Sequence, residues 1–370
     1  MKRLRIRIVG GSLAGLFAGI LLQRDGHDVK IYERSSSGLA GRGAGLVGQH
    51  DLFRILRAIG CEHVARVGVV AHERIYFNRD GSVGETFRTP QTQISWDFLY
   101  STVASHMAAE SYLIGQPVTG VIETLDAAQI IFANGRREDA DLVIGADGLG
   151  SVVRPLLNRD ASNRFAGYVA WRGLIPEPAL PQEATILLDR FAFYVASGIH
   201  VLGYLVPGPH GETGYGERRY NWVWYRPVAA GDLQNLFTGS DGRTFDYSLP
   251  RGALSDERIR MLQADAASTL PPPFVRAIES EPQPSIQGIF DFEAARMISA
   301  HTVLIGDAAF VVRPHTAMGV SKAASDALAL RDALLVSDGL SEALDRYEQE
   351  RLPVGKYIAE YGKRLGASAL

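Results

Sequence analysis

The chain has 370 residues, 46% of them hydrophobic, enough to bury more core than one domain usually carries, so two packed domains are expected. A net charge of -3, with acids and bases spread along the sequence, excludes the basic footprint of a nucleic-acid binder and favours a small-molecule role. Cys61 is the only cysteine, which excludes an internal disulfide and any multi-cysteine metal cluster and suits a reducing cytoplasm.

The opening MKRLRIRIVGG and SLAGLFAGILL have the outline of an export signal, but Arg5 and Arg7 interrupt the apolar stretch. Gln23 and Arg24 then close it too early for a membrane span, and no other segment approaches the roughly twenty apolar residues a span needs. The stretch reads instead as a βαβ unit: a strand over Leu4 to Val9, a glycine turn over Gly10 to Gly15, a helix over Ala14 to Gln23, and a strand over Asp28 to Tyr32 ending at Glu33. Gly10 permits the tight turn, the small Ser12 leaves room for a diphosphate, and Gly15 lets the helix pack closely. The helix start, Leu13 and Ala14 included, offers free N–H groups to that diphosphate. Glu33 is placed to accept both ribose hydroxyls of an adenosine and would repel a 2′-phosphate despite the neighbouring Arg34. NAD and FAD both remain open at this point. Arg7 lies on a strand expected to be buried on both faces, and the sequence offers it no partner.

Further along, Leu142 to Ala146 is a short apolar strand that runs into Asp147-Gly148, then Ser151 and Arg154. Residues 165–227 change texture, with aromatic and β-branched runs separated by Pro and Gly, and predict an antiparallel sheet. Alternation puts His200, Leu202 and Tyr204 on one face of a strand and Asn221, Val223 and Tyr225 on one face of the next. Those faces are the candidate pocket, whereas Trp171, Trp222 and Trp224 read as core. A second apolar strand, Val303 to Ile305, runs into Gly306-Asp307-Ala308-Ala309. Then comes Arg313-Pro314-His315-Thr316-Ala317-Met318-Gly319, leading into a helix over Val320 to Leu335 whose small first residues leave N–H groups open. A last helix is predicted from about Ser341 to Arg364.

In the order and spacing of Gly10/Ser12/Gly15, Asp147-Gly148 and Gly306-Asp307, the chain resembles the single-component FAD-dependent aromatic hydroxylases of the para-hydroxybenzoate and salicylate hydroxylase type. GYVAWRG, RRYNWVWYRP and the RPH that opens the last loop look similar to the bacterial branch acting on 2,6-dihydroxypyridine and hydroxy-succinoylpyridine. The resemblance implies an α/β protein with a Rossmann-like FAD-binding domain over 1–72, 98–160 and 287–340. An inserted antiparallel β-sheet substrate domain would take 73–97 and 161–286, and a C-terminal helical segment 341–370.

The resemblance further implies that Glu33 binds the adenosine ribose, that Arg42 and Gly45 lie along the FAD, and that Asp307 binds the ribityl chain. Asp147, Gly148 and Arg154 would serve both FAD and the nicotinamide cofactor, with Arg154 sharing the phosphate charge because Ser95-Trp96-Asp97 stands where many relatives carry an arginine. Pro314, Ala317, Met318, Gly319 and Val320 would run beside the isoalloxazine. Ser321 replaces a family asparagine, and Lys322 reads as a surface residue of its helix, with support of an anionic flavin N1 as the alternative.

The activity implied is ring hydroxylation of a small aromatic, a hydroxypyridine in the first instance, by NADH or NADPH and dioxygen through a flavin C4a-hydroperoxide. His200 and Tyr204 would hold and deprotonate the ring hydroxyl, with His200 titrating in a suitable range. Pro314 and His315 would flank the reacting centre, and Val47, Phe191, Asn221 and Tyr225 would complete the pocket. No metal, nucleic acid or membrane is expected, and a homodimer is left open. An epoxidase or dehydrogenase on the same scaffold, or a flavin-binding protein without turnover, are the alternatives.

Overall fold

The computed structural model describes residues 2–39, 41 and 45–369. Five parallel strands form the first sheet, in the order Thr302–Leu304, Leu142–Gly145, Arg5–Val9, Asp28–Tyr32, Tyr112–Leu113. Burial on both faces explains the unbroken apolar runs of Leu142–Gly145 and Val303–Leu304. The helix Leu13–Arg24 crosses between Arg5–Val9 and Asp28–Tyr32, and the helix Gly319–Val336 packs against it. Ala and Gly in the first helix and Ala in the second are small enough to let the two backbones approach.

Arg7 sits in the middle of this sheet at 5% exposure, and the fold supplies what the sequence did not. Its Nε donates to Glu138 at 2.6 Å and its Nη2 to Asp28 at 3.0 Å, while Nη1 reaches the Ile6 and Asp28 carbonyls. Glu138 comes from a separate three-stranded sheet over residues 118–140 and also accepts from the Tyr32 hydroxyl. A buried charge is tolerated because every edge of it is paired.

The second large sheet runs Ser248–Leu249, Ser285–Glu293, Arg164–Pro176, Arg219–Pro227, Ile199–Val206, Arg190–Ala196, Glu73–Phe77, Val83–Phe87. It is antiparallel except where Arg190–Ala196 lies parallel to Glu73–Phe77. The expected division at residue 287 falls inside one of its strands. Its outer face buries Trp171, Tyr194, Trp222 and Trp224 against the helices Asp256–Thr269 and Pro272–Glu279, so the tryptophans are core as expected. Its inner face carries His200, Tyr204 and Tyr225 and meets the first domain. A small sheet of Gly45–Val47, Gln91–Ser95 and Val69–Ala71 packs on that inner face. The helix Leu340–Ala369 closes the chain. Among the described residues no helix is long and apolar enough to cross a membrane.

Candidate active site

A cleft of about 240 Å³ opens at the carboxyl ends of the parallel strands, where ligands of such sheets bind. It is lined by Gly10, Ser12, Glu33, Arg34, Asp147 and Gly148 of the expected set, and by Leu39, Trp96 and Val118, which sequence reasoning missed. Trp96 lies parallel to Tyr100 at 5.0 Å, a flat wall that alternation alone does not reveal because it follows from the helix Trp96–Ala104.

Gly10 has φ +105°, and a Cβ there would collide with Ala146, the last residue before Asp147-Gly148. Gly15 touches the Gly10 carbonyl so closely that a Cβ would strike it. Ser12 is the N-cap of the helix with its hydroxyl unused in capping. A Cβ on Gly306, itself at φ +59°, would stand 2.9 Å from the Ala14 methyl. The three sequence motifs thus meet at one helix N-terminus, beside Leu13 and Ala14. Arg42 lies outside the described residues.

The acids divide their work. Glu33 is buried and accepts from the Gly11 and Ser35 amides. Asp147 ties its own turn, accepting from the Ser151 hydroxyl at 2.6 Å and the Val152 amide at 2.6 Å. Asp307 instead leaves its side chain 49% exposed.

Arg154 is corrected from a phosphate partner to a brace. At 1% exposure it donates to the carbonyls of Gly148, Ala161, Asp307 and Ala308 and to Asn163, which engages its whole guanidinium and locks the second motif to the third. Before the helix at Trp96, Arg219 from another strand bonds Asp97 at 2.8 Å and Ser95 at 3.0 Å. Lys322 is corrected from a surface residue to a buried one, at 2% exposure. Its first-turn position points its ammonium inward, 3.6 Å from Asp307 and 3.9 Å from Asp326.

The loop expected to lie along a flavin ring forms a tight turn over Pro314–Thr316, with Ala317 left-handed at φ +53° and Met318 capping the helix that begins at Gly319 and Val320. Opposite it stands the inner face of the large sheet. The register pairs His200 with Tyr225, Leu202 with Val223 and Tyr204 with Asn221, as the alternation predicts. His315 sits 4.3 Å from the Tyr225 ring and 5.6 Å from the His200 ring, and shares a 2.9 Å hydrogen bond with the Tyr168 hydroxyl. Phe191 meets Tyr204 edge-on at 4.7 Å, and Tyr204 lies so close to Gly45 that a Cβ there would strike the ring. Val47 pairs with Gln93 across the small sheet.

Three polar side chains of this region are buried without any partner among the described residues: both ring nitrogens of His200 and the whole amides of Asn221 and Gln93. Gln93 was missed by sequence reasoning because its strand is short and its burial depends on residues remote in sequence. Burial pushes the His200 imidazolium down to about 4, and burial together with His200 and Arg313 pushes His315 to about 3. His200 is therefore neutral across the neutral pH range, and the expectation that it titrates there is corrected. Burial raises the phenols of Tyr204 and Tyr225, so both are hydroxyl donors at neutral pH.

A parallel-sheet cleft with three converging glycine motifs, an exposed Asp307 and an aromatic inner sheet beside the Pro314 loop defines an FAD-binding oxidoreductase fold, and the residues present fit FAD: glycines where a Cβ would clash, a helix N-terminus for the diphosphate, and the Glu33 and Asp147 carboxylates in the cleft lining. The chain belongs to the FAD binding domain family, whose model matches residues 3–178 and 275–361. A second model, FAD binding domain-like, matches residues 165–291.

Among characterised relatives, 2,6-dihydroxypyridine 3-monooxygenase of Paenarthrobacter nicotinovorans is 31% identical over 98% of this chain and 91% of its own. The 6-hydroxynicotinate 3-monooxygenase of Bordetella bronchiseptica is 26% identical over 94% and 87%. The solved 2,6-dihydroxypyridine-3-hydroxylase of Arthrobacter nicotinovorans superposes with a TM-score of 0.93 at 29% identity, over 100% of this chain and 93% of that one. A salicylate hydroxylase substrate complex shares the fold at 19% identity and a TM-score of 0.76, over 99% and 90%.

Proposed function

We propose that the protein is a monooxygenase that hydroxylates an electron-rich hydroxypyridine ring, with NADH or NADPH as reductant and dioxygen as oxygen source. The observation that carries the reading is His200: an imidazole with both nitrogens buried and unpartnered, set among Tyr225, Phe193 and His315, opposite the Pro314 loop. A buried polar group without a partner costs about 1–3 kcal/mol, which a ring hydroxyl or ring N–H bonded to it would return. The relatives named for hydroxypyridine substrates support that ring over a plain phenol.

FAD, when bound, supplies the redox chemistry and the activated oxygen. Gly10, Ser12 and the helix start at Leu13 would hold its diphosphate, Glu33 its adenosine ribose, and Asp307 its ribityl hydroxyls. The rest of the work belongs to side chains. Tyr204 and Phe191 wall the pocket beside Gly45, and Leu202 and Val223 form its apolar floor. Neutral His200 accepts the proton of the ring hydroxyl as a hydrogen bond, which raises electron density on the ring carbon to be attacked. Tyr225, His315 and Tyr168 fill the space on the other side of His200 and exclude water, which would otherwise divert reducing equivalents to hydrogen peroxide. The one-cysteine composition supports a cytoplasmic location.

The test is NAD(P)H and oxygen consumption with a panel of hydroxypyridines and phenols, followed together with product mass. A product heavier by one oxygen, one equivalent per NAD(P)H and dioxygen, is expected from a hydroxypyridine. Reductant consumption that yields only peroxide with every ring tested would overturn the reading.

A further inference from the structure

Arg172 stands on the inner face of the large sheet with no acidic partner among the described residues. Its strand pairs it with Val223, so it shares a face with Asn221 and Tyr225 and, one strand further, with His200 and Tyr204. Its Nη1 donates to the Gln287 side chain at 2.7 Å, which aligns the guanidinium but neutralises nothing. Most other arginines of the same sheet are neutralised, Arg219 by Asp97, Arg226 by Asp265 and Arg190 by Glu73, while Arg74, paired in register with Phe191, meets only Gln91. Arg172 thus keeps its charge and its remaining donors in a partly buried place, where a counter-ion is worth most. The same charge opposes the upward push that burial exerts on the Tyr204 and Tyr225 phenols, so its field reaches both walls of the pocket.

We infer that Arg172, oriented by Gln287, takes an anionic oxygen of the substrate, so that the ring is bound as an anion lying over Val223 and Leu202 between Arg172 and His200. The dimensions suit a substituted pyridine: Arg172 and His200 lie two strands apart and two residues out of register on one face, about 12 Å between backbones at the usual strand spacing and rise. An oxyanion on the ring also makes the ring richer in electrons, so the contact that binds the substrate selects its reactive form. This inference rests on the hydroxylation reading but concerns the charge of the bound ring, and two anionic oxygens satisfy the chemistry: a ring oxide or a ring carboxylate.

The experiment uses the FAD-loaded protein without reductant and reads binding from the perturbed flavin absorption spectrum. Three probes are titrated at pH 8: 2,6-dihydroxypyridine for the ring oxide, 6-hydroxynicotinate for the ring carboxylate, and 2-hydroxypyridine as the neutral ring. At least one charged probe is expected to bind roughly 10- to 100-fold more tightly than the neutral one, and which of them does so names the source of the anionic oxygen. Arg172→Met should abolish that preference while leaving 2-hydroxypyridine within about threefold, and Arg172→Lys should restore part of it.

A wild-type protein that does not favour a charged probe overturns the inference without any variant being needed. So does Arg172→Met if it weakens charged and neutral probes alike or weakens neither. Product formation by the wild type is scored separately: hydroxylation with no charge preference rejects only the anionic binding, and an Arg172-dependent preference with no hydroxylation rejects only the proposed activity.

Discussion

The ammonium of Lys322 lies 3.6 Å from the carboxylate of Asp307, the half-exposed acid of the third glycine motif. Lys322 is itself sealed beneath it, and the same charge serves Asp326, which accepts from the Gly306 amide and from Arg351. Lys322→Met leaves two neighbouring carboxylates short of a cation. We expect a loss of about 3 kcal/mol in unfolding free energy, the scale of a broken buried charge network. Urea unfolding of the FAD-free protein measures it. A change under about 1 kcal/mol would show that Arg351 alone balances Asp326.

Asp307 is expected to carry much of the FAD affinity. The purified protein should be yellow and release FAD, not FMN, on denaturation. Asp307→Ala should weaken FAD binding by roughly 10- to 100-fold, the worth of a charge-assisted hydrogen bond. Fluorescence titration of the FAD-free protein reads this directly, and an unchanged dissociation constant would remove Asp307 from the site.

For His200, the expected signature is uncoupling. His200→Ala should retain FAD and lower hydroxylation by about a hundredfold or more, while NAD(P)H consumption falls less. The ratio of product to NAD(P)H consumed distinguishes this from a folding defect, with Glu342→Ala on the exposed face of the last helix as control. Equal ratios in both variants would return His200 to a packing role.

The two half-buried histidines also set an acid limit. Both are pushed below the ordinary value of about 6.5, His200 to about 4 and His315 to about 3, so between pH 6.5 and those values the unfolded chain binds more protons than the folded one. Their contribution is present above pH 6.5 and is lost as the pH falls toward 4. On lowering the pH from 6.5 to 5, each should remove about 1–2 kcal/mol of stability. His200→Phe should flatten that slope by about one proton in urea unfolding across pH 5 to 7, and an unaltered slope would refute the assignment.

Local patterns carried the first domain. The glycine turn, the alternation at His200, Leu202 and Tyr204, and the Asp at each strand end were legible because each depends on residues a few positions apart. Lys322 and Arg154 were misread for the complementary reason. Whether a lysine on a helix faces solvent depends on what packs against that helix, here Asp307 and its turn. An arginine near a phosphate motif is equally able to bind phosphate or carbonyls, and only the 154-residue separation from Ala308 reveals the second. Arg7 had the same problem, since Glu138 lies 131 residues away. The charge state of His200 was out of reach because burial, not sequence neighbours, sets it.

The order of strands has a consequence for how the protein is made. The parallel sheet takes its edge strand from Thr302–Leu304, and the larger sheet joins Glu73–Phe77 to Arg190–Ala196 and then waits for Ser285–Glu293. At about 5–20 residues per second, the ribosome needs roughly 10–50 seconds between the first of these strands and the last. During that interval the apolar strand at Leu142 has an unpaired edge and the glycine motifs have no Gly306 to close against. Cofactor capture is therefore a late event in the life of the nascent chain, and a chain stopped before Leu304 is a candidate for aggregation rather than a smaller working domain.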